Sequence, residues 1–548
     1  MNYFNPYPLC VDNTVITAWK FQITEAAKTP WLAELLAWHG GELFPRFVAT
    51  YSELRALPRG ARRALQRRLA HSRELSAVLQ EWLQQQSSRA LQQKLAATLA
   101  GAALLLVLGR GVAEANTITV NATVPGVVAD GKCSLIEAII NANDTVTGGP
   151  LSDCAAGDPL GEDHIILPKK TFTLTTPYDT YYGDPTGLPL ITSAITIEGN
   201  GAKITRKKSS PNFRLMAVGP TGDLDLENLT LSGGSSSSHN GGGAIFNYGE
   251  TTISNSTITG NTAYYGGAVS NSGSLTVQNS TISKNTANGP YNPVTLQGSG
   301  GGIVNFGTST VSNSTITGNK AYVGGGLSNS GSISIDGSTI SKNVLKGRLA
   351  NGQLYGGYGA GIANDNTGTL NVSNSVISGN NALIGGAIVN AGEFSISDSE
   401  ISKNIATAGA GIANNGGSAP TQTIVNSTIS GNIAKLKTFR AGAVIYFVGG
   451  VGGALLNYRS TVTLTNSTIS GNKATGKKFR GYLLGGAGGG IANADTAAAN
   501  LTLTGGSVTG NSATFFGGGL FNDHGVYSTS ASVTGNNAKY GPDIFSLP

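Results

Sequence analysis

The chain reads as all-β, a right-handed parallel β-helix solenoid with a short helical, disulfide-tied N-terminal cap and a helical N-terminal leader, and three observations lead there. First, one phrase returns ten times from residue 240 onward: two small residues, an apolar residue, any residue and Asn, then Asn-Ser-Thr-Ile-Ser/Thr-Gly/Lys-Asn. Its first half ends at Asn247, Asn271, Asn305, Asn329, Asn364, Asn390, Asn414, Asn457, Asn493 and Asn522. Its second half closes at Asn261, Asn285, Asn319, Asn343, Asn380, Asn404, Asn432, Asn472, Asn511 and Asn536, spaced 24 or 25 positions apart where nothing is inserted. Second, within a unit such as 273–285, Leu275, Val277 and Ile282 fall on one side by period-two alternation, with Ser, Thr and Gln on the other. Third, 78 Gly and 12% charged residues suit tight turns and ladders better than a large globular core.

Each unit therefore holds two or three short strands joined at Gly and Asn, residues that accept positive φ. A lone coil cannot bury its apolar side, so coils must stack, with a rise of roughly 4.8 Å each. Stacking sets Asn beneath Asn, where side-chain amides bond along the axis. The right hand follows from the bias of parallel crossovers. Leucine-rich repeats share the period, but their Leu-spaced consensus is missing and the Thr/Ser/Gly content disfavours helices. Calcium-binding nonapeptide repeats need Asp, which these coils almost lack. The many Asn-x-Ser/Thr triplets are locked to the period, so they are expected to be ladder positions rather than glycosylation acceptors.

Ahead of the repeats, residues 1–94 form an Arg-rich, helix-favouring leader extension, densest in basic residues from Arg55 to Arg73. Residues 95–115 follow as an export signal: an apolar run from Leu95 to Leu108, too short to span a bilayer comfortably, then Ala113-x-Ala115 as cleavage site. Two explanations of residues 1–94 stand open, an extended basic n-region or a translation start placed too far upstream. A nucleic-acid role for them is disfavoured, because arginines before an apolar run are expected of topology signals. The mature chain is expected to begin near Asn116 and to be extracellular or on the cell surface. Residues 1–115 hold 13 of the 36 Lys+Arg and 8 of the 30 Asp+Glu, so the +6 belongs to the leader and the exported body is nearly neutral, which excludes nucleic acid as its partner. The coils run almost to Gly541–Pro548, so neither the membrane barrel of an autotransporter nor any other transmembrane segment is expected in the mature chain.

Residues 116–164 read as the cap and 165–548 as the solenoid. Ser134 with Glu137 is a capping box, and Leu135, Ile136, Ile139 and Ile140 form an apolar stripe, so a short helix starts here. Cys133 and Cys154 are the only cysteines after the leader, and an even pair in an exported chain suggests a disulfide closing a loop of about twenty residues, contributing roughly 3 kcal/mol. A plug is needed because an uncovered stack exposes strand edges. A catalytic thiol is disfavoured, since no local His partners either cysteine.

At these residues the chain resembles a known group. Cys133-Ser-Leu-Ile-Glu-Ala is similar to the Cys-Ser-Leu-Arg-Glu-Ala domain at the front of bacterial exported right-handed β-helix proteins, with Ile136 where that motif has Arg. Cys154, Asp163-His-Ile-Ile-Leu-Pro and Phe172-Thr-Leu also resemble that domain, and Gly242-Gly-Ala-Ile-Phe-Asn247 resembles the repeat of chlamydial polymorphic membrane proteins. The likeness implies an exported, surface-associated β-helix of the pectate-lyase-like superfamily.

That superfamily hosts lyases and hydrolases, which need paired carboxylates, or a base with charge neutralisation. From residue 229 onward the acidic residues are few and stand mostly one per coil; the nearest to a catalytic group is Asp495 with Asp523 and His524, set against a reading as solvated turn carboxylates. No metal site and no cofactor are expected. The insertions say more. Units lengthen after Asn285, Asn343, Asn432 and Asn472, always before the next small pair, which puts the loops on one side of the solenoid. Two of them nearly repeat each other, Lys437-Thr-Phe439-Arg440 and Lys477-Lys478-Phe479-Arg480, with Tyr482 beyond, and neither contains an acidic residue. Cations with rings point to binding of an anionic polysaccharide, or of a host or neighbouring cell-surface polymer, through Arg/Lys pairing and ring stacking. The competing reading is that long loops need solubilising charge and an apolar anchor. The function expected is thus a structural or adhesive exported β-helix, with a polysaccharide lyase or hydrolase as the alternative.

Overall fold

The computed structural model describes residues 116–123, 126–143, 153–157, 162–237, 241–289, 298–350, 353–415, 422–441, 444–494 and 499–547, with backbone alone at 348–350, 353–355, 439–441 and 444–448. The expected leader and export signal lie outside these residues. From Ile245 on, each coil repeats three short strands, most with a fourth. In one coil they are Ile245–Asn247, Glu250–Ser254, Thr257–Thr259 and Thr262–Ala263, and each pairs in parallel with its counterpart in the next: Val269–Asn271, Ser274–Gln278, Thr281–Ser283 and Thr286–Ala287. The first strands of the coils build a 12-stranded sheet from Met216–Val218 to Ile544–Leu547. The second and third strands build a 25-stranded one. The chain is a parallel β-helix.

Stacking begins well before the phrase does. Thr117–Thr119 pairs in parallel with Asp163–Ile166, which pairs with the long strand Ala194–Arg206, and that strand with Asp223–Ser232. The boundary expected at 164/165 falls inside a strand, because the cap is an insertion in the first coils. Its helix α1, Leu135–Ala142, starts on the expected capping box: Ser134 Oγ accepts from Glu137 N at 3.2 Å, and Glu137 Oε2 accepts from Ser134 N at 2.8 Å. Leu135, Ile136 and Ile139 are buried in one core with Ile118, Ile165 and Ile195, while Ile140 is only partly covered. The helix is tied to the coil beneath by Asn143, whose Nδ2 donates to Leu190 O and whose Oδ1 accepts from Thr192 N. Cys133 and Cys154 are bonded to each other.

Inside, apolar residues stack in files such as Ile258, Ile282, Ile316, Ile340 and Ile377, each at most 1% exposed, and each contributing roughly 1.5–3 kcal/mol by burial. Two files of Asn run beside them. In the first, each Nδ2 donates to the next Oδ1 from Asn247 through Asn522, at 2.7–3.1 Å. In the second, each Oδ1 accepts both the backbone N–H and the side-chain N–H of the Asn before it, as Asn285 accepts from Asn261 at 2.9 and 3.0 Å. Gly234 N opens that file on Asn261, and Asp543 Oδ1 closes it by accepting both N–H groups of Asn536.

The Asn-Ser-Thr triplets correct one expectation. Their Ser residues form the ladder: Ser256 N donates to Ser280 Oγ, Ser280 N to Ser314 Oγ, and so on to Ser467. Their Asn residues, among them Asn255, Asn279, Asn313, Asn426 and Asn466, are exposed at the bend between the second and third strands, with φ of 48–50°. Asn is periodic there because it tolerates left-handed backbone, not because its amide stacks.

Candidate functional site

The third strand of each coil ends two residues before a closing Asn, and the chain then turns toward the next coil, through any insertion. Between Lys284 and Lys539 every Lys and Arg except Arg459 stands in that interval, from the residue before a closing Asn to the next small pair. No Asp or Glu from Glu250 to Asp543 does. Parallel pairing keeps the interval at one corner of the coil throughout, through Thr286↔Lys320↔Val344 and Ile433↔Lys473↔Ser512. From Lys284 onward the coils are therefore divided, with their cations, Arg459 apart, on one edge and their carboxylates elsewhere.

The insertions after Asn343, Asn432 and Asn472 rise from that edge as hairpins, while most of the one after Asn285 lies outside the described residues. Arg348–Ala350 pairs antiparallel with Gln353–Tyr355, Lys437–Ala441 with Val444–Val448, and Lys473–Phe479 with Tyr482–Gly485. The last two share a root, since Lys435 pairs with Thr475 and Leu436 N donates to Thr475 Oγ1 at 3.2 Å. Alternation divides the candidate residues. Lys477, Phe479 and Tyr482 belong to one face of their hairpin and Lys478 to the other, with Arg480 and Gly481 forming the turn at φ of 49° and 89°. The Arg480 guanidinium lies 5.4 Å from the centre of its neighbour's ring, Phe479, and Tyr482 is 74% exposed. Lys437 is half-buried, and burial, then the nearby Lys435, lowers its pKa below the usual lysine range. Phe439 and Arg440 are placed on their hairpin by backbone pairing alone.

The weaker candidate is at the corner after the first Asn file. His524 Nδ1 and Asp523 Oδ1 are 2.7 Å apart, both open to solvent. Asp495 lies outside the described residues. Among the described residues no group of three His, Cys, Asp or Glu stands together as a metal would require, and no helix is long and apolar enough to cross a membrane.

Sequence reasoning missed a buried cation in the coils before the repeats. Arg214, 0% exposed, is ion-paired with Asp184 and lies 4.5 Å from the centre of the Phe246 ring. Its Nε and Nη1 are buried with no hydrogen-bond partner. Asp184 belongs to a hairpin, Asp179–Tyr181 with Asp184–Thr186, whose Tyr181 and Tyr182 pack on Phe246 and Tyr248. Burial pushes the Arg214 pKa down, opposed by Asp184. Nearby, burial together with Tyr248 raises the Tyr265 phenol to about 12. The pair clamps the hairpin to the coils; a lone Arg in a non-repeating stretch gave no sign of it.

No protein-family model matches the chain, and no curated protein matches it. Two solved structures show low similarity. The A-module of the mannuronan C-5 epimerase AlgE6 of Azotobacter vinelandii is 13% identical, with 71% of this chain and 91% of that one covered at a TM-score of 0.31. Pectate lyase Pel9A is 13% identical, with 78% and 80% covered at a TM-score of 0.20. The assignment as a parallel β-helix rests on the chain's own strand pairing.

Proposed function

We propose that this chain is an exported β-helix that acts as a structural or adhesive protein and holds anionic polysaccharide along its cationic edge. One observation carries the reading: from Lys284 onward the Lys and Arg residues of the coils are confined, Arg459 apart, to one corner that no carboxylate of those coils shares. Solubilising charge alone has no reason to segregate by sign, since interspersed charges solvate a surface equally well. The hairpins add rings to the cations, a combination suited to sugar faces and acid groups together. Binding to uronic-acid or sulfated glycans should weaken as salt is added and fall in the Arg440→Ala, Arg480→Ala double variant. If no binding exceeds that of a neutral-glycan control, the reading is lost. Export is tested separately by sequencing the N-terminus of the fractionated protein, expected to begin at Asn116.

A further inference from the structure

We infer that the cationic edge is a rail for a linear polyanion of sparse charge, an acidic polysaccharide whose acid groups alternate with neutral sugars, laid parallel to the solenoid axis on Lys284, Lys342 and Lys403. This rests on the anionic-glycan reading and adds to it the orientation and charge spacing of the ligand. The three lysines occupy one position, the residue before the closing Asn, where coils alternate between Gly and Lys: Gly260, Lys284, Gly318, Lys342, Gly379, Lys403, Gly431. Backbone bonds hold that position in register, Gly260 N to Ser283 O, Lys284 N to Thr317 O, Gly318 N to Ser341 O and Lys342 N to Ser378 O.

The position requires left-handed backbone, and the lysines adopt it with φ of 56–57°. Glycine does so without cost in the coils between; lysine does not. Strain of this kind, repeated at a fixed interval, points to use of the side chain. Each lysine is exposed, and none forms an ion pair among the described residues. Each stem crosses the glycine of the following coil, with Lys284 Cγ 4.0 Å from where a Cβ on Gly318 would sit, and Lys342 and Lys403 alike over Gly379 and Gly431 at 3.9 Å. The glycines thus leave a path along the axis.

Two coils separate successive ammonium groups by roughly 9.6 Å. That is about one screening length at 0.1 M salt, so each acts as its own site and a dense polyanion gains little from the arrangement. Thr259, Ser283, Thr317 and Ser341 project beside the file from the third strands, offering hydroxyls to sugars. The one carboxylate on these strands is Glu400, exposed at the far end of the strand that leads to Lys403.

The test measures binding of the purified chain to hyaluronan, with one carboxylate per disaccharide, beside polygalacturonate, with one per sugar, duplex DNA and neutral dextran. The Lys284→Gly, Lys342→Gly, Lys403→Gly variant is expected to bind hyaluronan ~10-fold more weakly or worse, with a thermal midpoint equal to or above that of the parent. Unchanged hyaluronan binding in this variant, with loss in the Arg440→Ala, Arg480→Ala variant, overturns the rail but leaves the glycan reading on the hairpins. DNA or polygalacturonate binding as tight as hyaluronan overturns the sparse-charge assignment. A lower midpoint overturns the strain argument, and binding of no acidic glycan at all overturns both this inference and the reading beneath it.

Discussion

Asn319 shows how much one side chain holds. Its Oδ1 accepts Asn285 N at 2.9 Å and Asn285 Nδ2 at 3.1 Å, while its Nδ2 donates to Ile282 O at 3.0 Å and Asn343 Oδ1 at 3.1 Å. Asn319→Ala leaves the backbone N–H of the fully buried Asn285 unpaired and its Nδ2 with Ile258 O alone, so a loss of about 2–4 kcal/mol is expected in urea unfolding, read from the midpoint with the slope unchanged. Tyr265 gives the pH dependence. A phenol whose folded pKa lies at about 12, above the ordinary 10.0, contributes its stability in full below pH 10 and loses it as the pH rises toward 12. Tyr265→Phe should therefore flatten the alkaline fall in thermal midpoint, and an unchanged fall would show that another group governs it. At this scale the sequence was read correctly for the two Asn files and wrongly for the triplets. A 24-residue period marks inward and outward positions alike, and only the backbone angle at Asn255 and its equivalents tells a bend from a ladder.

Elements were legible where their signals are local. The capping box at Ser134 and Glu137 placed α1, and the interval between closing Asn and small pair placed the hairpins on one side. What the period could not show was which face of a hairpin each residue takes, since antiparallel pairing sends Lys477 and Lys478 apart. The clamp between Arg214 and Asp184 was invisible for another reason: it joins a hairpin to a coil about thirty residues on, outside any repeat. Arg214→Ala strands Asp184, only 2% exposed, without its counter-charge, and a loss of about 3–5 kcal/mol is expected. Arg214→Met combined with Asp184→Asn should cost much less, because it removes both charges. If the double variant is as unstable as the single one, ring packing by Phe246 and Tyr181 rather than charge holds the hairpin down.

Over the whole molecule, the coils are joined by contacts that differ little from one to the next. Asn261 meets Asn285 as Asn285 meets Asn319 and Asn319 meets Asn343. Removing residues 286–319 would set Asn285 on Asn343, Asn271 on Asn329 and Ser280 on Ser338, restoring every file. Such a chain should fold and unfold cooperatively, with a denaturant slope reduced in proportion to the surface lost; an aggregated or molten product would show that neighbouring coils are not equivalent. The extent of the solenoid was only partly legible, since the long strands Ala194–Arg206 and Asp223–Ser232 pair like the later coils but carry no phrase.

The amide files give this protein a tunable reach. Where every joint is chemically alike, a turn gained or lost would lengthen or shorten the molecule without rebuilding any joint, as a screw is cut to size without altering its thread.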